Sequence, residues 1–237
     1  ITDINASVIK LFPTKPTFEN YLQLGEYFKY FFNSFVVVIV NAVLVPLTSC
    51  LVAYPLARAR FKGRNQIFAL ILATSMIPSS VLQVPQYLLF RDFGLYDKLA
   101  SQFIGAFFGG SGMQIFLIVQ FMRALPKEFD NAARIDGANI WQIFWKIILP
   151  ISKSGLATVA TFVLINSWND LFLSLLIISK QSLITLNQVC YNMKAQYVAD
   201  YGLISAAIII LVLPVIVFFV VFQKQVIKGM TAGSVKG

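Results

Sequence analysis

The chain has 237 residues, 58% of them hydrophobic and only 12% charged, with nineteen Lys and Arg, ten Asp and Glu, and no histidine. A soluble globular domain carries roughly 25% charged residues, so this composition, with its long apolar runs, places the chain in a bilayer. Without histidine, and with its two cysteines far apart at Cys50 and Cys190, the chain offers no Cys–His catalytic pair and no ordinary metal site.

Residues 1–29 are mixed in character and interrupted by Pro13 and Pro16, which predicts an extended external segment. The first span is expected over 30–54, almost wholly apolar from Phe35 to Val45 apart from Asn41. At about 1.5 Å per residue such a helix crosses a hydrocarbon core of about 30 Å. A second span is expected over 67–90, with Pro78 and Pro85 inside it. Intramembrane prolines remove helical hydrogen bonds and kink a span, which is tolerated where neighbouring helices cover the break. A third is expected over 99–122, where Gly105, Gly109, Gly110 and Gly112 leave one face nearly bare. The spacing Gly105-x-x-x-Gly109 predicts close helix packing. A fourth span over 155–178 and a fifth over 202–222, with Pro214 inside it, complete a transmembrane domain over 30–222, and a tail follows over 223–237. The fold expected is all-α: a polytopic membrane helix bundle with five visible transmembrane helices.

Charge sets the orientation. Segments 55–66, 123–153 and the tail hold twelve Lys and Arg against three acids. Segments 1–29, 90–102 and 179–201 hold seven against six. The strongly basic face is expected in the cytoplasm, with the C-terminus inside. Membrane topology accounts for the basic balance, so no nucleic-acid partner is implied.

The polar stretch 123–153 is too hydrophilic to cross. Pro126 is placed to open a helix, Asp130 or Asn131 to cap one, and Gly137 to turn the chain in the left-handed conformation. Ile140, Ile143, Phe144 and Ile147 then recur at helical spacing up to Pro150. The prediction is a short helix, a glycine turn and a second short amphipathic helix, laid along the cytoplasmic membrane face.

Asn131-Ala132-Ala133-x-x-Asp136-Gly137-Ala138, followed by Phe144, Ile147 and Leu149-Pro150, resembles the "EAA" loop of ABC-importer permease subunits. The likeness is strongest to the carbohydrate branch, to which the maltose transporter belongs. It departs at its first letter, where Asn131 replaces the family's glutamate and removes one ion-pairing group. The resemblance implies a coupling helix that docks into a cleft of a cytoplasmic ATPase. Glu128, Asp130, Asn131, Ala132, Ala133, Asp136, Gly137, Ala138, Phe144, Leu149 and Pro150 are its candidate residues. The ending Gly229-x-Thr231-x-Gly233-x-Val235-Lys236-Gly237 resembles the branch's tail, which reaches between the two ATPase subunits, so Gly233, Val235, Lys236 and Gly237 are candidate contacts. The family typically carries one more helix, expected upstream of Ile1.

Within the fourth span, Asn166-Ser167-Trp168-Asn169-Asp170 places an ionisable group past the midplane. Such groups usually face a bundle interior or a wet cavity. Trp beside Asn and Asp also suits sugars, the ring packing on C–H faces while amide and carboxylate hold hydroxyls. The competing reading is that the polar groups bond other helices and Trp168 sits in an aromatic belt. Trp168-Asn169-Asp170 further resembles the family's Trp-Asn-acid segment. The substrate-path candidates are Asn166, Trp168, Asn169, Asp170, Asn41 and Gln83, with Gln86, Gln114 and Gln120 secondary.

No Gly-x-x-x-x-Gly-Lys-Ser/Thr loop is present, so this chain has no phosphate loop of its own. The resemblance implies a second homologous permease, two ATPase subunits binding ATP and Mg, an external solute-binding protein, membrane lipid and a carbohydrate substrate. Rival readings are an ABC permease for a polyamine or amino acid, a membrane enzyme using Asp170 and Asp200, and a scaffold subunit.

Overall fold

A computed structural model of the protein describes residues 17–196 and 201–232. Regular structure among them is helical throughout. Among the described residues, three helical stretches, Glu19–Arg58, Ile104–Ala124 and Tyr201–Lys224, are long and apolar enough to cross a membrane by length and composition, or up to five when each of two bent pairs counts as one span.

Helix α1 (Glu19–Gln23) runs through a single 3-10 turn, Leu24–Tyr27, into α2 (Phe28–Arg58). Around α2 the rest of the bundle is packed. Its buried face repeats at Val37, Asn41, Val45, Ser49, Ala53 and Ala57, four residues apart. The smaller members of that row let α5 (Gly112–Ala124) and α9 (Lys153–Trp168) approach closely, and Val45, Ala53, Ile118, Val119, Val159 and Val163 share one core. Glycine does the same between α9 and α5, where a Cβ on Gly155 would meet the Phe121 ring at 2.7 Å.

The second span is a pair of helices, α3 (Arg64–Thr74) and α4 (Ser79–Asp92), bent by 95°. Of the two prolines expected to kink it, Pro78 makes the break and Pro85 stays inside α4. A proline has no N–H and disfavours the helical region for the residue before it, which favours a break at Pro78, whereas Pro85 is accommodated within α4.

The third span departs further from expectation. Residues 99–108 form two 3-10 turns, Leu99–Gln102 and Ile104–Phe108, and the α-helix begins only at Gly112. Gly109 and Gly110 hold left-handed conformations, with φ of 88° and 68°, which end the helical path. Gly105-x-x-x-Gly109 is therefore no helix-packing face, and a Cβ on Gly105 would meet nothing within 4 Å. Close approach occurs instead at Gly110, whose Cβ would lie 2.6 Å from Val45 Cγ1, and at Gly112, against the Ile71 carbonyl and the Ser75 hydroxyl.

Irregular backbone at membrane depth must find partners inside the protein. Here α2 supplies them. Asn41 Nδ2 donates to the Gln102 carbonyl at 3.2 Å, Thr48 to Ala106 at 2.5 Å, and Ser49 to Gly109 at 2.7 Å.

Helix α6 (Glu128–Ile135) follows α5. Then α7 (Ile140–Ile143), a π-helical turn (Phe144–Ile148) and α8 (Leu149–Ile151) form one limb, bent by 71° from α9. Pro150 has no N–H to offer the Lys146 carbonyl, and the widened turn precedes it. The fourth span was expected to run unbroken to 178. Instead α9 stops at Trp168, residues 169–171 leave the helix, and α10 (Phe172–Ile177) starts again. Helix α11 (Leu186–Gln196) and α12 (Tyr201–Ala232) complete the described chain. Asp97, with φ of 55°, ties the start of the 3-10 segment to the end of α10. Its Oδ1 accepts from the Ser179 and Lys180 N–H groups at 2.6 and 2.7 Å.

Candidate coupling surface and translocation cavity

The coupling segment is built from two capped limbs. Glu128 and Asp130 lie in the first turn of α6, where negative charge suits the helix dipole. Pro126 stands just outside this helix, and the N-cap position falls to Lys127, so Asp130 and Asn131 sit within the helix without capping it. The far end is a Schellman turn. Ala138 N–H donates to the Ala133 carbonyl at 2.9 Å and Gly137 N–H to Arg134 at 3.1 Å, with Gly137 at φ of 80°. Asn139 then opens α7 with a reciprocal capping box: Gln142 N–H to Asn139 Oδ1 at 2.9 Å, and Asn139 N–H to Gln142 Oε1 at 2.8 Å. The expected glycine turn is present, and Asn139-x-x-Gln142 is a start signal the sequence reading passed over.

Burial sorts the candidates into two sides. Asp130, Ala133, Ile143, Phe144 and Ile148 face inward. Glu128, Asn131, Ala132, Asp136, Gly137 and Pro150 are exposed, while Ala138 and Leu149 are half-buried. Between the exposed candidates lie large apolar side chains. Ile135 is 86% exposed, Trp141 63%, Ile140 52% and Trp145 50%. Phe129 is exposed beside them. Ile140 was read as part of the apolar row with Ile143, Phe144 and Ile147 but faces outward, and the other four were not singled out by the pattern. Trp141 and Trp145 are four apart, opposite the inward row, which was the available signal. The π turn adds a residue to its helical turn and moves the inward position from Ile147, half-buried, to Ile148, fully buried.

A correction concerns Asp130. It is not on the outward surface with Glu128 but 6% exposed, with Oδ2 lying 3.2 Å from Nη1 of Arg58.

The second feature is a cavity of about 1020 Å³ between α2, α4, the 3-10 segment, α5, α9 and α10. Asn41, Gln86, Gln102, Gln114, Asn166 and Asp170 are among the polar side chains lining it, and Asp170 is the carboxyl among them. Asp170 Oδ1 also accepts from the Leu173 N–H at 3.2 Å, in the first turn of α10, while the residue lines the cavity. Three candidates are not on the wall. Asn169 turns back to the Ile165 carbonyl at 2.8 Å, and Gln83 lies elsewhere on α4.

Trp168 is also absent from the wall. It is 2% exposed, edge-on to Phe31 at 5.6 Å, Phe35 at 5.4 Å and Phe218 at 6.0 Å. Its Nε1 donates to the Leu211 carbonyl at 3.0 Å, in the turn before Pro214, and its own carbonyl accepts from Asn187. It is a buried joint between α2, α9 and α12, neither a sugar platform nor a belt residue. The tail candidates Gly233, Val235, Lys236 and Gly237 lie outside the described residues, as does Asp200.

Comparison with known proteins gives this geometry a context. The chain is 32% identical over 233 residues to the trehalose transport system permease protein of Mycobacterium tuberculosis, covering 96% of this chain and 85% of that one. It is 32% identical over 229 residues to an arabinooligosaccharides transport system permease protein of Bacillus subtilis, covering 95% and 81%. Among solved structures, a chain from a bacterial ABC transporter involved in import of the acidic polysaccharide alginate has the same fold. Its TM-score is 0.79 at 24% identity, over 94% of this chain and 84% of the other. The family of binding-protein-dependent transport system inner membrane components matches residues 46–232, and the chain belongs to it.

Proposed function

We propose that this chain is a permease subunit of an ATP-driven carbohydrate importer and that residues 126–150 are where its ATPase grips it. The outward row of Ile135, Ile140, Trp141 and Trp145, held on a capped and glycine-turned scaffold, supports this reading most directly. Exposed aromatics on a rigid support suit an interface core, where Trp contributes most per residue. Glu128, Asn131 and Asp136 border the row and suit a polar rim that sets register. ATP and Mg are bound by the partner ATPases, whose closure moves this segment. A second permease completes the pathway, and an external binding protein delivers the solute. The C-terminus lies in the cytoplasm, in keeping with the basic face.

The carbohydrate assignment rests on the sugars named for its relatives and on the cavity lining. Amides and hydroxyls exchange hydrogen bonds with sugar hydroxyls without requiring charge on the solute. Asp170 spends one oxygen on the Leu173 N–H, which suits a wall residue better than the general base of a membrane enzyme.

Two experiments test the reading. Tagged protein purified in mild detergent is expected to bring with it an ATPase subunit and a second permease, and to lose the ATPase when residues 126–150 are scrambled. Recovery of the chain without an ATPase would sink the coupling assignment. Gly137→Val is expected to insert normally but to lower transport per ATP hydrolysed. A β-branched residue at φ of 80° costs about 1–2 kcal/mol or more in backbone strain, although the space beside Gly137 is open. Normal transport by this variant would show that the turn's geometry does not matter.

A further inference from the structure

Among the basic residues that follow the first span, Arg58 stands apart. Arg60 and Lys62 are exposed, as the charge bias of a cytoplasmic loop requires, whereas the Arg58 side chain is 5% exposed. Its guanidinium faces three acceptors. Nη1 lies 3.2 Å from Asp130 Oδ2, Nη2 donates to the Leu125 carbonyl at 3.0 Å, and Nη1 approaches the Pro126 carbonyl at 3.5 Å. One residue thus holds both the chain entering α6 and the helix itself.

The inner face of α6 shows why this matters. Its buried residues are Asp130 and Ala133 alone. Asp130 meets Arg58 and also interacts with the Tyr54 side chain, and Ala133 packs into the shared core, so α6 is held to the cytoplasmic end of α2. One turn earlier on the same face of α2, the Tyr54 ring lies 5.3 Å from Phe144, on the other limb of the coupling segment. Both rings are buried. The cytoplasmic end of α2 therefore grips both limbs, one by charge and one by ring packing. The two grips are one helical turn apart.

We propose that Arg58 is the positioning residue that fastens the coupling segment to α2, so that displacement of α6 by the ATPase is delivered to the helix around which the bundle is packed. The proposal rests on the coupling assignment above and goes beyond it in naming the linkage. The planar fork of arginine reaches an acid and two carbonyls together. A lysine ammonium is a point charge that cannot hold all three in that geometry.

The linkage is tested in the assembled importer, reconstituted with its ATPase subunits and binding protein. The measured quantities are ATPase subunits recovered and solute imported per ATP hydrolysed. The double variant Arg58→Met/Asp130→Leu removes both buried charges and fills their place with apolar groups, a change that buried ion pairs often accept without loss of fold. It is expected to recover the ATPase while solute moved per ATP falls roughly tenfold. Arg58→Lys is expected to give a smaller fall in the same ratio. A wild-type ratio in the double variant overturns the proposal. Should that variant fail to assemble, a wild-type ratio in Arg58→Lys overturns it instead, and a lowered ratio supports it. A wild-type chain that recovers no ATPase overturns the coupling assignment first, a result distinct from either.

Discussion

Trp168→Ala is expected to lower the free energy of unfolding by about 3–5 kcal/mol, the usual range for deleting a fully buried large aromatic. The indole is 2% exposed and fills the space between α2, α9 and α12, with Phe31, Phe35 and Phe218 edge-on around it. Removing it leaves a cavity that three helices cannot close without shifting, and it deprives the Leu211 carbonyl of a donor. Thermal unfolding of purified protein in detergent checks this. Trp168→Phe keeps an aromatic ring in place but loses the N–H and part of the indole's volume. It is expected to cost about 1–2 kcal/mol for the lost hydrogen bond and packing, less than the alanine variant. It should also leave the sugar concentration that half-stimulates ATP hydrolysis unchanged, because Trp168 does not line the cavity. A large shift in that concentration with unchanged stability would return Trp168 to the substrate path.

Gly112→Val is the second change with a large expected cost, about 3 kcal/mol. A Cβ there would overlap the Ile71 carbonyl oxygen and the Ser75 hydroxyl. Ser75 could rotate away, but the carbonyl belongs to α3 and can retreat only if that helix moves. Gly105→Val makes the contrast, since the position opens on nothing within 4 Å. It is expected to stay within about 0.5 kcal/mol. The pair of melting measurements discriminates between the observed packing and a face built on Gly105 and Gly109. Equal destabilisation of both variants would favour the latter.

Much of the architecture was readable because hydropathy reports which residues leave water, and five apolar stretches do. What hydropathy does not report is whether a stretch stays helical. Gly105, Gly109 and Gly110 were legible as a bare helix face, yet glycine serves equally for left-handed backbone, and composition alone does not choose. Pro78 and Pro85 look alike in sequence. Pro85 stays within a continuous helix, whereas Pro78 opens one at a bend of 95°. The glycine turn of the coupling segment was legible because a Schellman cap demands one special residue at one position. The pairing of Asp130 with Arg58 was not, since the two lie 72 positions apart in the chain and only the fold brings them together. Exposed charge and buried charge read identically in a one-letter code.

The donor row of Asn41, Thr48 and Ser49 bears on how the protein is made. Helix α5 has 13 residues, about 20 Å of rise, against a hydrocarbon core of about 30 Å. The remaining depth is crossed by backbone whose carbonyls at Gln102, Ala106 and Gly109 bond to α2 side chains. Left alone in lipid, that stretch would expose those groups to a solvent that cannot satisfy them. The third span is therefore not an autonomous unit of membrane insertion. It settles only where α2 already stands, and a chain emerging N-terminus first delivers α2 before it is needed.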